Sequence, residues 1–221
     1  MKLRIASLTV LSLALLVAPA SAQVLYDNGP INGSTDAWTI NFGYVVSEDI
    51  YMRDDISGIT DIHFGTWEFP GDTMTSVDWS ITGSENGGTV YGSGTASGAK
   101  LSDKFLSTNQ YGYNIDLITI SGLNVNLNAG TYWLNLQNAV VPSGDPVYWD
   151  ENSGKGCGGS DGKGANCPSQ ASESALGTIP SEAFTINGNG GTSGSTPEPS
   201  SILLFSSGIL GLAGVLRRRL F

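Results

Sequence analysis

The stretch Thr75–Thr82 reads TSVDWSIT. Val77, Trp79 and Ile81 alternate with Ser76, Asp78 and Ser80, so an extended chain here has one apolar side and one polar side. Successive side chains of a strand point to opposite faces, and such alternation marks a strand with one buried and one wet face. The pattern recurs outward from this stretch. TYWLNLQNAV (Thr131–Val140) places Tyr132, Leu134 and Leu136 on one side, and ITDIHFGTWEF (Ile59–Phe69) does the same with Ile62 and Phe64. Gly65 inside the latter run reads as a bulge. AWTINFGYVV (Ala37–Val46), YGYNIDLITI (Tyr111–Ile120) and EAFTI (Glu182–Ile186) read as further strands. Turn-forming segments, GSENGG (Gly83–Gly88) and NAG (Asn128–Gly130), stand between the runs. No internal repeat of fixed period is visible, which argues against a propeller or solenoid. Roughly 165 residues carrying about eight to ten such strands predict an all-β domain, a jelly-roll-like antiparallel β-sandwich.

The two ends differ in kind from this middle. Lys2 and Arg4 precede an apolar run from Leu8 to Val17, followed by Ala20-Ser21-Ala22. A basic start, a short apolar run and an A-x-A end form the pattern of a secretory signal peptide over residues 1–22, cut after Ala22 so that Gln23 becomes the first residue. At the other end, residues 187–196 read NGNGGTSGST, a Gly/Ser-rich linker that closes the domain at 23–186. Beyond it, Ile202 to Leu216 is apolar or small throughout, with Arg217, Arg218 and Arg219 behind. As a helix, about 201–216, this run spans roughly 22 Å, short of a ~30 Å hydrocarbon core but extendable by snorkelling arginines. Positive charge favours the cytoplasmic side, which leaves the domain outside.

Pro197-Glu198-Pro199, the apolar helix and the terminal arginine cluster, taken together over residues 197–221, resemble a PEP-CTERM sorting signal. The resemblance implies recognition and cleavage by an exosortase, a membrane protease-transpeptidase of Gram-negative bacteria. It also implies a transient membrane anchor followed by release to the cell surface or extracellular matrix. Because the family is associated with producers of exopolysaccharide and biofilm matrix, exopolysaccharide is the expected partner.

Charge narrows the partners further. All 20 acidic residues lie between Asp27 and Glu198, where only five of the 10 basic residues fall, so this stretch carries a formal −15. Such a surface repels phosphate backbones and makes nucleic acid an unsuitable partner. Cations and neutral, hydroxyl-rich polymers suit it better.

The middle stretch with most chemical promise is Gly144–Ser174, long and glycine-rich. Cys157 and Cys167 are the only cysteines, and after export they are expected to pair and staple this loop. Tyr148 and Trp149, beside Asp150 and Glu151, form a candidate carbohydrate-binding group, with core burial of one or both aromatics as the alternative. Asp145, Asp150, Glu151 and Asp161 are calcium candidates, with a solvated acidic loop as the alternative. A regular EF-hand fails, because Lys155 and Gly154 occupy the positions that need glycine and a side-chain oxygen. No other cofactor is expected.

Catalytic motifs are decoys. Gly154-x-Gly156-x-x-Gly159 lacks a following helix start. Gly158-x-Ser160-x-Gly162 lacks the strand–turn–helix setting of a nucleophile elbow, and the sole histidine, His63, falls in a strand. The expected function is therefore that of a non-catalytic, exported cell-surface or matrix protein. The alternatives are a carbohydrate-active enzyme or a pure carbohydrate-binding module on a jelly roll.

Overall fold

The computed structural model describes residues 23–52, 56–152 and 171–188. They form thirteen strands: β1 (Gln23–Asp27), β2 (Ala37–Thr39), β3 (Val45–Met52), β4 (Ile56–Glu68), β5 (Ser76–Ser84), β6 (Gly87–Ser97), β7 (Leu101–Thr108), β8 (Asn114–Leu127), β9 (Gly130–Val140), β10 (Tyr148–Asp150), β11 (Ala171–Glu173), β12 (Gly177–Ile179) and β13 (Phe184–Gly188). The count exceeds the eight to ten expected because β2, β10, β11 and β12 have only three residues each, too few to show a period in sequence. Among the described residues no helix is long and apolar enough to cross a membrane. The predicted signal peptide, the sorting tail and its helix lie outside them.

Two antiparallel sheets make the sandwich. In the seven-stranded sheet, β7 pairs with β8 and β8 with the long β4. The other edge of β4 is shared in turn by β13 and β10, which lead on to β1 and β2. The six-stranded sheet runs β12-β11-β3-β9-β5-β6. The chain crosses repeatedly from one sheet to the other, as in a jelly roll.

The alternations read from sequence become the core. Val77 and Ile81 are wholly buried, and Trp79, Tyr132, Leu134 and Leu136 are buried with them. From the other sheet, Ile62 and Phe64 of β4 stand opposite Ile120 and Ile118 of β8. Each large apolar side chain buried in this way contributes roughly 1.5–3 kcal/mol.

Three boundaries differ from the sequence reading. AWTINFGYVV is two strands, broken by a turn in which Phe42 (φ 58°) and Gly43 (φ 87°) adopt left-handed backbone and Tyr44 N–H bonds Asn41 O at 3.1 Å. Tyr111–Tyr113 precede β8 in a turn organised by Asn109, whose side-chain oxygen accepts Tyr111 N–H and Tyr113 N–H at 3.0 Å each. Asn187 and Gly188, assigned to the linker, belong to β13, where Asn187 Nδ2 bonds Asp61 Oδ1 at 2.9 Å.

Gly65 is not a bulge: the register of β4 on β8 is continuous around it and shifts only between Ile56 and Asp61. Its missing side chain makes room for Ile31. A Cβ at Gly65 would lie 2.7 Å from Ile31 Cγ2 and 3.0 Å from Asp150 Cβ. Residues 28–36 thus lie across the outer face of the first sheet, and Gly33 (φ 61°) closes against Ile115 in the same way.

Candidate functional site

The residues singled out in sequence separate in space. Cys157, Cys167 and Asp161 lie outside the described residues, so the staple and one calcium candidate have no structural account. Trp149 is core rather than binding surface. It is wholly buried, points inward opposite Thr66, donates Nε1–H to Ala183 O at 3.0 Å and packs edge-on to Phe64 and Phe184.

Asp150 is likewise structural. Its carboxylate is wholly buried and accepts Trp67 Nε1–H at 2.6 Å, Asn32 N–H at 2.8 Å and Gly33 N–H at 3.0 Å. Burial raises its pKa, and these three donors pull the other way. Glu151 is buried beside it, with Oε2 3.4 Å from Trp38 Nε1. Asp145 engages through its backbone, its carbonyl accepting Asn41 Nδ2 at 3.0 Å. Among the described residues, Asp145, Asp150 and Glu151 do not bring three carboxylates within the reach of one ion.

Tyr148 keeps its candidacy, in company the sequence did not suggest. It faces outward opposite Trp67, where the two strands pair. Tyr111 stacks on Trp67 with ring centroids 5.8 Å apart and planes inclined 25°, and Tyr113 meets Tyr148 edge-on at 5.8 Å. Thr35, Asp36 and Ala37 close the other side of a cleft of about 330 Å³. Tyr111 is 60% exposed at the tip of the β7–β8 hairpin, while Trp67 beneath it is almost fully buried. Burial, then the neighbouring Tyr113, raises the Tyr148 phenol above its ordinary pKa, so it is a neutral donor at physiological pH. Trp67, Tyr111, Tyr113 and Asp36 were missed because they sit on separate elements. The one local signal was Tyr111 and Tyr113 flanking a turn glycine, Gly112 (φ 88°).

A second convergence was also missed. The inner face of β4 runs Ile62, Phe64, Thr66, Glu68, and its partners on β8 run Ile120, Ile118, Asp116. On β7, Leu101 and Asp103 stand opposite Ile120 and Ile118. The apolar stripe therefore ends in carboxylates: an oxygen from each of Glu68, Asp103 and Asp116 lies within 4.8 Å of the other two. Burial, then Asp103, pushes Glu68 up to about 8, and the same two causes push Asp116 up to about 6.

His63, on the outer face of β4, is tied by Nε2 to Asp61 Oδ1 at 2.5 Å and is half-buried. That is the ordinary strand role expected for it.

No curated protein matches the chain in sequence. Residues 195–219 match the PEP-CTERM protein-sorting motif, in agreement with the Pro197-Glu198-Pro199 and Arg217–Arg219 reading. The β-sandwich chain thus carries, at residues 195–219, a PEP-CTERM protein-sorting motif, which implies export and sorting toward the cell surface by an exosortase.

Proposed function

We propose that the β domain is a non-catalytic cell-surface or matrix protein that holds neutral, hydroxyl-rich polysaccharide in the Trp67–Tyr111–Tyr113–Tyr148 cleft. Tyr111 carries the argument. It is an exposed aromatic ring held in place by stacking on a buried one, beside the carboxylate of Asp36 and the hydroxyl of Thr35. A flat aromatic face packs against the apolar face of a pyranose, while a few placed polar groups bond its hydroxyls. The formal −15 of the exported stretch disfavours polyanions and leaves neutral polymers acceptable. The sorting tail delivers the domain to the envelope, where such polymers are displayed. A carbohydrate-active enzyme would need two carboxylates facing each other across the cleft. Among its described lining residues the carboxylate is Asp36.

The test uses the full chain in mild detergent, on a glycan array and in retention on the host's matrix polymer. Tyr111→Ala and Tyr148→Ala should each weaken retention at least several-fold with little loss of stability. Trp149→Ala should instead cost roughly 3–5 kcal/mol of stability, as for any large buried aromatic. Unchanged retention in a stable Tyr111→Ala/Tyr148→Ala double variant would remove this cleft from the account.

A further inference from the structure

We propose that Glu68, Asp103 and Asp116 hold a divalent hard cation, calcium, where the inner face of the first sheet ends. The three come from β4, β7 and β8, and each offers an oxygen within 4.8 Å of the others. Two oxygens bound to one ion at about 2.4 Å can be at most about 4.8 Å apart, and all three pairs here meet that limit. Calcium takes carboxylate oxygens in irregular sets, whereas the absence of His and Cys from the group disfavours zinc.

Orphaned oxygens supply a second, independent observation. Glu68 is wholly buried and Asp116 is 4% exposed, yet Glu68 Oε2 and Asp116 Oδ2 have no hydrogen-bond partner. Thr66 Oγ1 occupies only Glu68 Oε1, at 3.0 Å, and Met74 N–H only Asp103 Oδ2, at 2.6 Å. A buried polar atom without a partner costs roughly 1–3 kcal/mol, so native interiors rarely keep one unless something else satisfies it. No described lysine or arginine does so. Lys104 follows Asp103 in sequence, but it is exposed on the opposite face of β7. A bound cation satisfies the orphans, offsets the mutual repulsion of three carboxylates and pins the β7–β8 hairpin to β4.

The test is calorimetric titration of calcium chloride alone into the chelator-stripped full chain in mild detergent, with thermal unfolding in parallel. One calcium per chain is expected, with a dissociation constant on the order of 10⁻⁴–10⁻³ M, as for extracellular sites. At about 100-fold excess over that constant the melting temperature should rise by roughly 5–10 °C. Glu68→Gln should weaken binding at least tenfold. Should that buried variant fail to fold, Asp103→Asn decides, because this half-exposed residue keeps an oxygen for Met74 N–H. Asp161→Asn should bind as the wild type does. Absence of binding up to 10 mM calcium (roughly tenfold above the weakest constant expected) would overturn the proposal. So would full affinity in Asp103→Asn, or loss of affinity confined to Asp161→Asn.

Discussion

The Trp67 indole N–H bonds the buried carboxylate of Asp150 at 2.6 Å, joining β4 to β10 beneath the exposed ring of Tyr111. The same carboxylate holds the backbone of Asn32 and Gly33 onto the sheet. Asp150→Ala would leave three donors, two of them buried and one half-buried, without their acceptor, and each buried loss costs about 1–3 kcal/mol before relaxation. A net loss of about 2–4 kcal/mol is expected from urea unfolding, with calcium affinity unchanged. A loss below about 0.5 kcal/mol, the scale of an ordinary surface change, would show that Asp150 is not the anchor described.

That one residue also shows what a sequence can and cannot carry. β5 and β9 were legible because each has a wet face and a dry face, and a half-buried strand prints that contrast at every second position. Asp150 prints nothing comparable: an acid beside two aromatics reads equally as a ligand group or as a buried anchor. The choice depends on residues 32, 33 and 67, far away in the chain. Glu68, Asp103 and Asp116 are less legible still, since they lie on three strands and share no spacing. Gly65 announced a departure from ordinary strand packing but not its kind, because the side chain that fills its notch is Ile31.

Gly65→Ala tests that notch. The added methyl would meet Ile31 Cγ2 at 2.7 Å and Ile31 Cγ1 at 2.9 Å, both closer than real contacts allow. Overpacking of this kind costs about 1–3 kcal/mol. In an Ile31→Ala background the two closest clashes are gone and only the 3.0 Å approach to Asp150 Cβ remains, so the cost of Gly65→Ala should fall clearly. A double-mutant cycle on unfolding free energies measures the difference. Additive costs would mean that the two residues do not share the space.

Glu182 sets a pH dependence. It is wholly buried, neither carboxyl oxygen has a hydrogen-bond partner, and Glu48, Glu151, Asp150 and Asp36 all face it. Burial, then Glu48, raises its pKa well above the ordinary 4.5. The folded state therefore keeps a proton that the unfolded chain has released. Linkage gives the sign: the group does not penalise folding below about pH 4.5, and its penalty grows as pH rises above that value. In the presence of chelator, Glu182→Gln should be more stable than the wild type at pH 7–8, with the gap narrowing toward pH 4. Unfolding midpoints across this range decide it; a gap that widens on acidification would contradict the assignment.

Cys157 and Cys167 should be joined in the exported protein, since an oxidising compartment favours pairing of the only two thiols. Thiol titration of the unfolded, unreduced protein should find none free. In the chain-entropy model, closing a loop of this size contributes about 2–3 kcal/mol, so reduction should lower stability by that amount. Two titratable thiols in protein taken from the host envelope would refute the pairing.

The two ends carry the last prediction. The motif match at residues 195–219 and the Lys2–Ala22 pattern assign separate processing steps to the two termini. In a host with an exosortase, mass spectrometry of the exported form should find Gln23 first and the tail lost near Pro197–Pro199. Replacing Arg217, Arg218 and Arg219 with glutamine removes the positive charge that holds the helix end on the cytoplasmic side. Processing at the PEP segment should then slow, and the chain should accumulate uncut, while cleavage after Ala22 proceeds as before. Glu198→Ala should also block tail processing but leave insertion intact, which separates recognition of the motif from anchoring by the helix. Mature surface protein that still ends in Arg217–Phe221 would count against sorting by cleavage and leave the tail as a plain anchor.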